Sequence, residues 1–337
     1  MKILVTGENH FNHVYSVVKS CKQLNHEVSF INMVDFFFKC NYVEKKLYKF
    51  GVKSLRDNYN NTWNKNFITT CQQFKPDIVL AINGAVLDIP TLELLRSLKV
   101  KLILWLFDGR KRITEHEHKM IYYDKIYCFE EYDIPYFQEK YKLKVQYCPV
   151  GYESDIYSPA DTLNRNIDIS FIGSPSQNRI ETLQQVAEYA SQKSLNMQVY
   201  GKWWNDKYFW KKTLFARQNP HLEKYINNFE LPAAKAADIY RHSKICLNIN
   251  ISEHLGINPR TFEILGTKSF QLMDTKKSTN IIRPGIDLIT YNTDCDLLDK
   301  IDYYLANDKE RTEIANNGYN WVKENFTMTQ MVKSILD

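Results

Sequence analysis

The stretch that decides the fold is Asn248-Ile-Asn-Ile-Ser-Glu-His-Leu-Gly-Ile-Asn-Pro-Arg-Thr-Phe-Glu263, running on through Ile264-Leu-Gly-Thr-Lys-Ser-Phe-Gln-Leu-Met-Asp274. The apolar run from Ile245 to Ile251 predicts a buried strand, and a polar loop containing Gly256 follows it. Asn258 is then placed to cap a helix whose first residue, Pro259, has no N–H to leave unsatisfied. Gly266 is expected to close that helix, and Phe270 to Met273 to form the next strand. A strand, a loop at its carboxyl end and a freshly started helix together make an anion site of an open α/β sheet. Arg260 falls in the first turn, where a guanidinium and free backbone N–H groups can both meet a diphosphate. Glu263, about one turn further on, is placed to accept hydrogen bonds from sugar hydroxyls. The same spacing serves an ordinary N-cap, a surface Arg and a solvated Glu, so alone it does not choose.

Similar strand-then-helix units precede this stretch. Lys2 to Thr6 reads as a buried strand ending in Gly7-Glu8-Asn9-His10, followed by an amphipathic stretch through Val14, Val17, Val18, Cys21 and Leu24. Further strands are expected at Glu27 to Asn32, Asp77 to Ile82 (ending in Asn83-Gly84), Lys101 to Phe107 and Lys125 to Phe129, with a helix over 90–98. A second series opens at Asp168-Ile-Ser-Phe-Ile-Gly-Ser174 and continues with a helix from Arg179 to Ser191 and a strand from Met197 to Gly201. The turn-rich segment from Pro149 to Pro159 reads as the linker between the two series. Asp308 to Gly318 reads as a helix with a glycine stop, and Tyr319 to Leu336 as another helix. Strands alternating with helices predict parallel sheets of Rossmann type. The Gly7 turn is not a GxGxxG fingerprint and lends no support to a nicotinamide or flavin role.

Composition narrows the class. A chain of 337 residues suits two domains, and a hydrophobic content of 44% is ample for two cores. A net charge of +5 suits anionic substrates or an acidic membrane surface without demanding nucleic acid. The seven cysteines, at 21, 40, 71, 128, 148, 246 and 295, form no CxxC pair, so buried free thiols in a reducing compartment are expected. Polar residues follow at once after Met1-Lys-Ile-Leu-Val-Thr-Gly7, without a leader pattern, and no apolar run is long enough to cross a bilayer. The expected location is cytoplasmic, with contact at the inner face of the membrane left open.

The signature segment resembles the donor site of GT-B glycosyltransferases, in particular the spore-maturation CgeB-like bacterial group, through N-x-R-x-F-E at Asn258, Arg260, Phe262 and Glu263. The likeness continues through Gly285 to Tyr291, Leu297 to Leu305 and Arg311 to Gly318; the first half of the chain follows the pattern more loosely. What the resemblance implies is an α/β fold of GT-B type: two Rossmann-like domains facing across a cleft, with a C-terminal helix crossing back. Residues 1–152 would form the acceptor-binding domain, 153–318 the nucleotide-sugar donor domain, and 319–337 the crossing helix. It also implies transfer of a sugar from a nucleotide-diphosphate sugar, UDP-sugar first, to a hydroxyl of a glycan, lipid-linked, protein or small-molecule acceptor. No cofactor or metal is expected, because Arg, Lys and helix N–H groups answer the charge of the leaving diphosphate.

On the donor side, Gly173 and Ser174 end a strand before a helix, so their N–H groups can approach phosphate, although a tight turn explains them equally. Arg179 resembles the basic residue that follows this turn in the family, and Lys202 is a candidate charge partner for the diphosphate. Asn250, Glu253 and His254 are candidates to line the sugar pocket. On the acceptor side stand Gly7, Glu8, Asn83 and Arg110, with Asp108 and His10 as the catalytic candidates. Asp108 ends a strand and is the preferred general base, against the simpler reading of a turn-forming Asp before Gly109. Retaining members of the fold carry a second Glu eight residues before the donor Glu; that position here is Leu255, so the stereochemical outcome is open.

Asp294-Cys-Asp296 has the form of a metal-binding Asp-x-Asp, but it stands where a helix begins and reads as an N-cap. Trp203-Trp-Asn-Asp-Lys-Tyr-Phe-Trp-Lys-Lys212, Phe36-Phe-Phe-Lys39 and Tyr42 to Lys53 mix aromatic and basic residues. Such stretches pack a core edge while their lysines stay wet, dock on a membrane, or stack nucleobases, and packing is the plain reading. Three alternatives to glycan, lipid or protein glycosylation share these features: a phage-type DNA-base glycosyltransferase, a non-catalytic nucleotide-sugar-binding partner subunit, and a sugar-nucleotide epimerase of the same fold.

Overall fold

A computed structural model describes residues 1–8, 12–34, 43–44, 46, 50, 52–160, 164–251, 255–275 and 281–337. The chain divides into two units, Met1–Val150 with Met328–Asp337, and Gly151–Thr327. His10, Glu253, His254, Cys40 and the Phe36–Lys39 segment lie outside the described residues, as does most of the stretch between Tyr42 and Lys53.

The first unit holds a six-stranded, all-parallel sheet. Its strands are β1 (Lys2–Gly7), β2 (Glu27–Asn32), β3 (Ile78–Ile82), β4 (Lys101–Leu106), β5 (Lys125–Cys128) and β6 (Val145–Tyr147), in the order 2-1-3-4-5-6. All five residues of β3, and all but the first of β1 and β4, are buried. That near-continuous apolar character follows from cover on both faces and is why these strands read clearly in sequence. The helices are α1 (His13–Gln23), α2 (Lys53–Phe74), α3 (Ile89–Ser97), α4 (Arg110–Ile113) and α5 (Ile134–Tyr141). Asp88 caps α3, its carboxylate accepting from the Thr91 N–H at 2.9 Å.

The second unit carries β7 (Ile167–Ile172), β8 (Met197–Tyr200), β9 (Ile226–Asn227), β10 (Ser243–Asn248), β11 (Gln271–Asp274) and β12 (Ile289–Tyr291). They form a parallel sheet ordered 12-11-10-7-8-9. Counted from β7, this is the doubly wound Rossmann order, whose reversal lies between β7 and β10. Its helices are α6 (Gln177–Gln192), α7 (Phe209–Gln218), α8 (Ala233–His242), α9 (Pro259–Gly266), α10 (Asp294–Ala306) and α11 (Asp308–Asn325). The core contains Phe171, Leu183, Val186, Val199, Trp203, Ile245, Leu247, Phe270 and Leu297. The last helix, α12 (Met328–Leu336), belongs to the first unit. It buries Met328, Met331, Val332, Ile335 and Leu336, and Thr329 Oγ1 hydrogen-bonds Gln23 Oε1 of α1 at 2.8 Å.

Two local expectations are corrected and one is refined. α9 ends at Gly266 as expected, but not through a left-handed conformation there; Lys268, two residues later, takes that conformation with φ 58°. A β-carbon on Gly266 would lie 2.4 Å from the Tyr152 ring, so glycine is there for close packing. α11 runs straight through Gly318, where a β-carbon would stand 2.3 Å from the Asp287 carbonyl oxygen. The cap of α10 is Thr293 rather than Asp294; its hydroxyl accepts from the Asp296 N–H, and the Asp296 carboxylate pairs with Lys300 at 2.8 Å.

Candidate functional site

The expected signature forms as a strand, a loop and a capped helix. Asn258 accepts the Thr261 N–H at 3.1 Å as the N-cap of α9, and Pro259 is the first helical residue. Asn248, fully buried at the end of β10, donates to Thr261 Oγ1 at 2.9 Å and accepts from Asn258 Nδ2 at 2.9 Å. Asn258 also donates to Asn250, whose own N–H and side-chain amide both donate to Asp274 at 2.9 and 2.7 Å. This chain of amides ties the carboxyl ends of β10 and β11 to the start of α9. Asn250 is therefore held by the network, with its backbone oxygen accepting from Asn178 Nδ2 at 2.6 Å.

The switch point between β7 and β10 is where the cationic groups gather. The Arg179 guanidinium is buried and donates to the carbonyls of Ile249 at 2.8 Å and Ser174 at 2.8 Å, stitching the two strand ends together. It lies 5.5 Å from the Phe171 ring centroid, and the Arg260 guanidinium lies 5.7 Å from the same ring. Burial first, and then the positive charge of Arg260, lower Arg179 to about 9 against the opposing effect of Asp274. Arg260 also approaches Asn248 Oδ1 at 3.5 Å. Two guanidinium groups thus share one ring at a strand-end crevice.

The floor of that crevice has no side chains. A β-carbon on Gly173 would stand 3.0 Å from Arg260 Nη2 and from the Phe171 ring. One on Gly201 would stand 2.2 Å from the Gly173 carbonyl oxygen, and the φ of Gly201 is +147°, a conformation that disfavours any side chain. The buried indole N–H of Trp203 has no hydrogen-bond partner and lies 3.1 Å from that same Gly201 β-carbon position. Ser174 is exposed at the rim, ahead of α6. Lys202 is exposed too, and pairs with Asp206 at 2.7 Å.

Glu263 sits beneath, one turn into α9, and is half-buried. Desolvation raises its carboxyl from the ordinary 4.5 to about 7, outweighing the Arg260 charge and the interaction with the Tyr157 hydroxyl, which both favour the carboxylate. Burial likewise raises the Tyr157 and Tyr240 hydroxyls well above their ordinary range; their rings are 6.5 Å apart. Tyr157, Tyr240, Phe171 and Asp274 were not foreseen. In sequence, Phe171 is one more apolar residue in a strand, and the two tyrosines sit in a linker and a helix without any motif.

In the first unit the reversal lies between β1 and β3. Gly7 ends β1 against Ile82, where a β-carbon would meet Ile82 Cβ at 2.8 Å; Glu8 follows it, exposed. Asn83 and Gly84 both have positive φ, 59° and 64°. Asn83 accepts from the N–H groups of Phe107 at 2.7 Å and Asp108 at 3.2 Å, and donates to Asp108 Oδ2 at 2.8 Å. Arg112 meets the other Asp108 oxygen at 3.2 Å. Arg110 stacks on Tyr136 at 4.7 Å and pairs with Asp133 at 3.6 Å. Asn83 and Asp108 are thus brought together, while Arg110 is engaged elsewhere. Among the described residues no three His, Cys, Asp or Glu side chains gather as metal ligands, and no helix is long and apolar enough to cross a membrane.

Residues 179–337 match the sequence model of a family described as glycosyl transferase-like. No curated protein matches the chain. Among solved structures, a glycosyltransferase from Rickettsia africae is similar with a TM-score of 0.69 and 15% identity, over 99% of this chain and 96% of that one. Sucrose-phosphate synthase from Thermosynechococcus elongatus gives a TM-score of 0.71 at 9% identity, over 99% and 97% of the two chains. Anabaena HepE in complex with UDP-glucose gives 0.64 at 11% identity, over 100% and 98%. The fold is that of the GT-B glycosyltransferases, with two parallel six-stranded α/β units.

Proposed function

We propose that the chain is a glycosyltransferase using a nucleoside-diphosphate sugar, UDP-sugar first, without a metal ion. One observation carries this reading: Arg179 and Arg260 share the Phe171 ring at the β7–β10 switch point, above the bare backbone of Gly173 and Gly201. A diphosphate bound there gains the Arg260 guanidinium and the N-terminal N–H groups of α6, while Arg179 keeps the two strand ends in place. The Glu263 carboxylate accepts hydrogen bonds from sugar hydroxyls. The glycosyl transferase-like match over residues 179–337 and the UDP-glucose complex of Anabaena HepE support the same assignment. The N-x-R-x-F-E signature at Asn258 to Glu263 favours the CgeB-like group within this fold.

In the reaction an acceptor hydroxyl attacks the anomeric carbon, a new C–O bond forms, and the bond to the diphosphate oxygen breaks. The charge that develops on the leaving diphosphate is met by Arg260 and the helix N–H donors. The acceptor proton passes to a base, for which Asp108 is this chain's candidate. The test is calorimetric binding and hydrolysis across UDP-, GDP-, dTDP-, ADP- and CMP-sugars, with and without EDTA. Selective binding of one nucleotide, indifferent to EDTA and weakened in Arg260→Gln and Glu263→Ala, is the expected result. No binding by any of them, or binding abolished by EDTA, overturns the reading.

A further inference from the structure

The segment Trp203 to Lys212 divides into two parts with opposite environments. Trp203 is buried, packing on Phe171 and Phe215 with centroids 6.3 and 6.1 Å apart, and Trp204 packs on Phe215 at 5.4 Å. Beyond them α7 turns its other side outward: Tyr208 is 42% exposed, Trp210 51% and Leu214 48%. No described side chain of α7 is fully buried. Trp210, Leu214 and Arg217, spaced i, i+4 and i+7, share one face, and Phe215 points to the opposite one.

Charge surrounds this apolar face. From Lys202 to Arg217 there are five basic residues and one acidic residue, Asp206. Asp206 is taken by Lys202 at 2.7 Å, and Lys212 pairs with Glu223 at 3.2 Å. Among the described residues Lys207, Lys211 and Arg217 form no ion pair. Lys211 lies 5.3 Å from the Tyr208 ring centroid and 5.7 Å from that of Trp210, and Lys207 lies 6.0 Å from Tyr208.

We propose that the outer face of α7, together with Tyr208, docks on the surface of an anionic lipid bilayer. Trp and Tyr suit the headgroup boundary, Leu214 adds an aliphatic anchor one turn beyond Trp210, and the flanking lysines meet lipid phosphates. Single-stranded nucleic acid would use the rings and the lysines but has no use for an exposed leucine at the centre of the face. The surface lies wholly within the second unit and does not depend on the donor-site reading.

The test uses the full chain and vesicles of phosphatidylcholine, alone or mixed with phosphatidylglycerol. Sedimentation with the mixed vesicles, not with the neutral ones, and release by high salt are expected. Trp210→Glu with Leu214→Glu should weaken that partitioning by about tenfold or more, with an unchanged melting temperature because both side chains are exposed. Lys207→Glu with Lys211→Glu should remove the preference for anionic lipid and decides the matter should the first variant fold poorly. Brominated lipid should quench tryptophan fluorescence in the native chain, and Trp210→Phe should remove most of that quenching. Equal partitioning of native and substituted chains, or tighter binding to single-stranded RNA than to the mixed vesicles, overturns the proposal.

Discussion

Replacing Glu263 by Gln should make the protein more stable at neutral pH and hardly more stable at pH 4. The side chain keeps its shape and hydrogen-bonding capacity, and only the ionisation is lost. In the folded protein, desolvation raises the carboxyl from the ordinary 4.5 to about 7. Between those two values the folded state holds a proton that the unfolded state has already released. Stability therefore falls as pH rises through this window, and the full penalty is present above it. The difference corresponds to about 3 kcal/mol. For a unit of this size that is a shift in Tm of roughly 6–12 °C. Thermal melts of the native chain and Glu263→Gln at intervals from pH 4 to pH 9 measure it, and groups that titrate in both chains cancel in the difference. The Tm difference should be near zero at the acid end, open between pH 4.5 and 7, and level off beyond. A difference that stays constant with pH would refute the argument, because it would mean the carboxyl is solvated like any surface Glu. The more stable variant should also bind nucleotide sugar more weakly, the pattern expected where a site holds a group the fold would rather not ionise.

Gly201→Ala should destabilise the second unit by about 3 kcal/mol, because the new methyl meets the Gly173 carbonyl oxygen at a φ of +147°; chemical denaturation reads the loss. Arg260→Gln should cost about tenfold to a hundredfold in nucleoside-diphosphate affinity. The empty protein should change little in stability, since Arg179 loses a like-charged neighbour while the Glu263 carboxylate loses an opposite one; calorimetry and melting together check both halves. Asp108→Asn should lower kcat by about a hundredfold or more while leaving donor affinity unchanged, and an unaltered kcat would remove Asp108 as the base.

How much of this was legible beforehand depends on whether a residue's role lies in its own neighbourhood of the chain. The strands β1, β3 and β4 read directly, because burial on both faces writes a nearly continuous apolar run, while β7 and β10 read from shorter apolar stretches beside polar residues. The Asn258-Pro259 helix start read just as well, since a cap is satisfied within three residues. Gly318 misled, and Gly266 gave the right helix end without its reason, because a glycine that stops a helix and one that admits a distant neighbour look the same; Tyr152 and Asp287 are far away in sequence. α2 went unseen: its buried residues are only Trp63, Asn64, Phe67 and Cys71, set among asparagines that blur the period. Arg179 reads from sequence only as a basic residue on the donor side, and what its guanidinium bonds, the carbonyls of Ser174 and Ile249, is not visible there. That pairing arises only when β7 and β10 lie side by side, which no local pattern can state.

The same long-range pairing explains why the candidate site is tense without a ligand. The strand order brings Arg179 and Arg260 onto one ring, where the charge of Arg260 disfavours that of Arg179. α9 then carries Glu263 into surroundings where desolvation outweighs the attraction of Arg260 and holds the carboxyl near 7. Cation excess and a reluctant carboxylate do not cancel, because the guanidinium stands toward the glycine floor and the acid lies about one turn into the helix. A ligand that relieves both must bring negative charge to the glycine end and hydroxyl donors to the acid. Inorganic diphosphate answers only the first demand and a free sugar only the second. A sugar joined to a diphosphate would answer both in one molecule, which accords with the nucleotide-sugar donor proposed above.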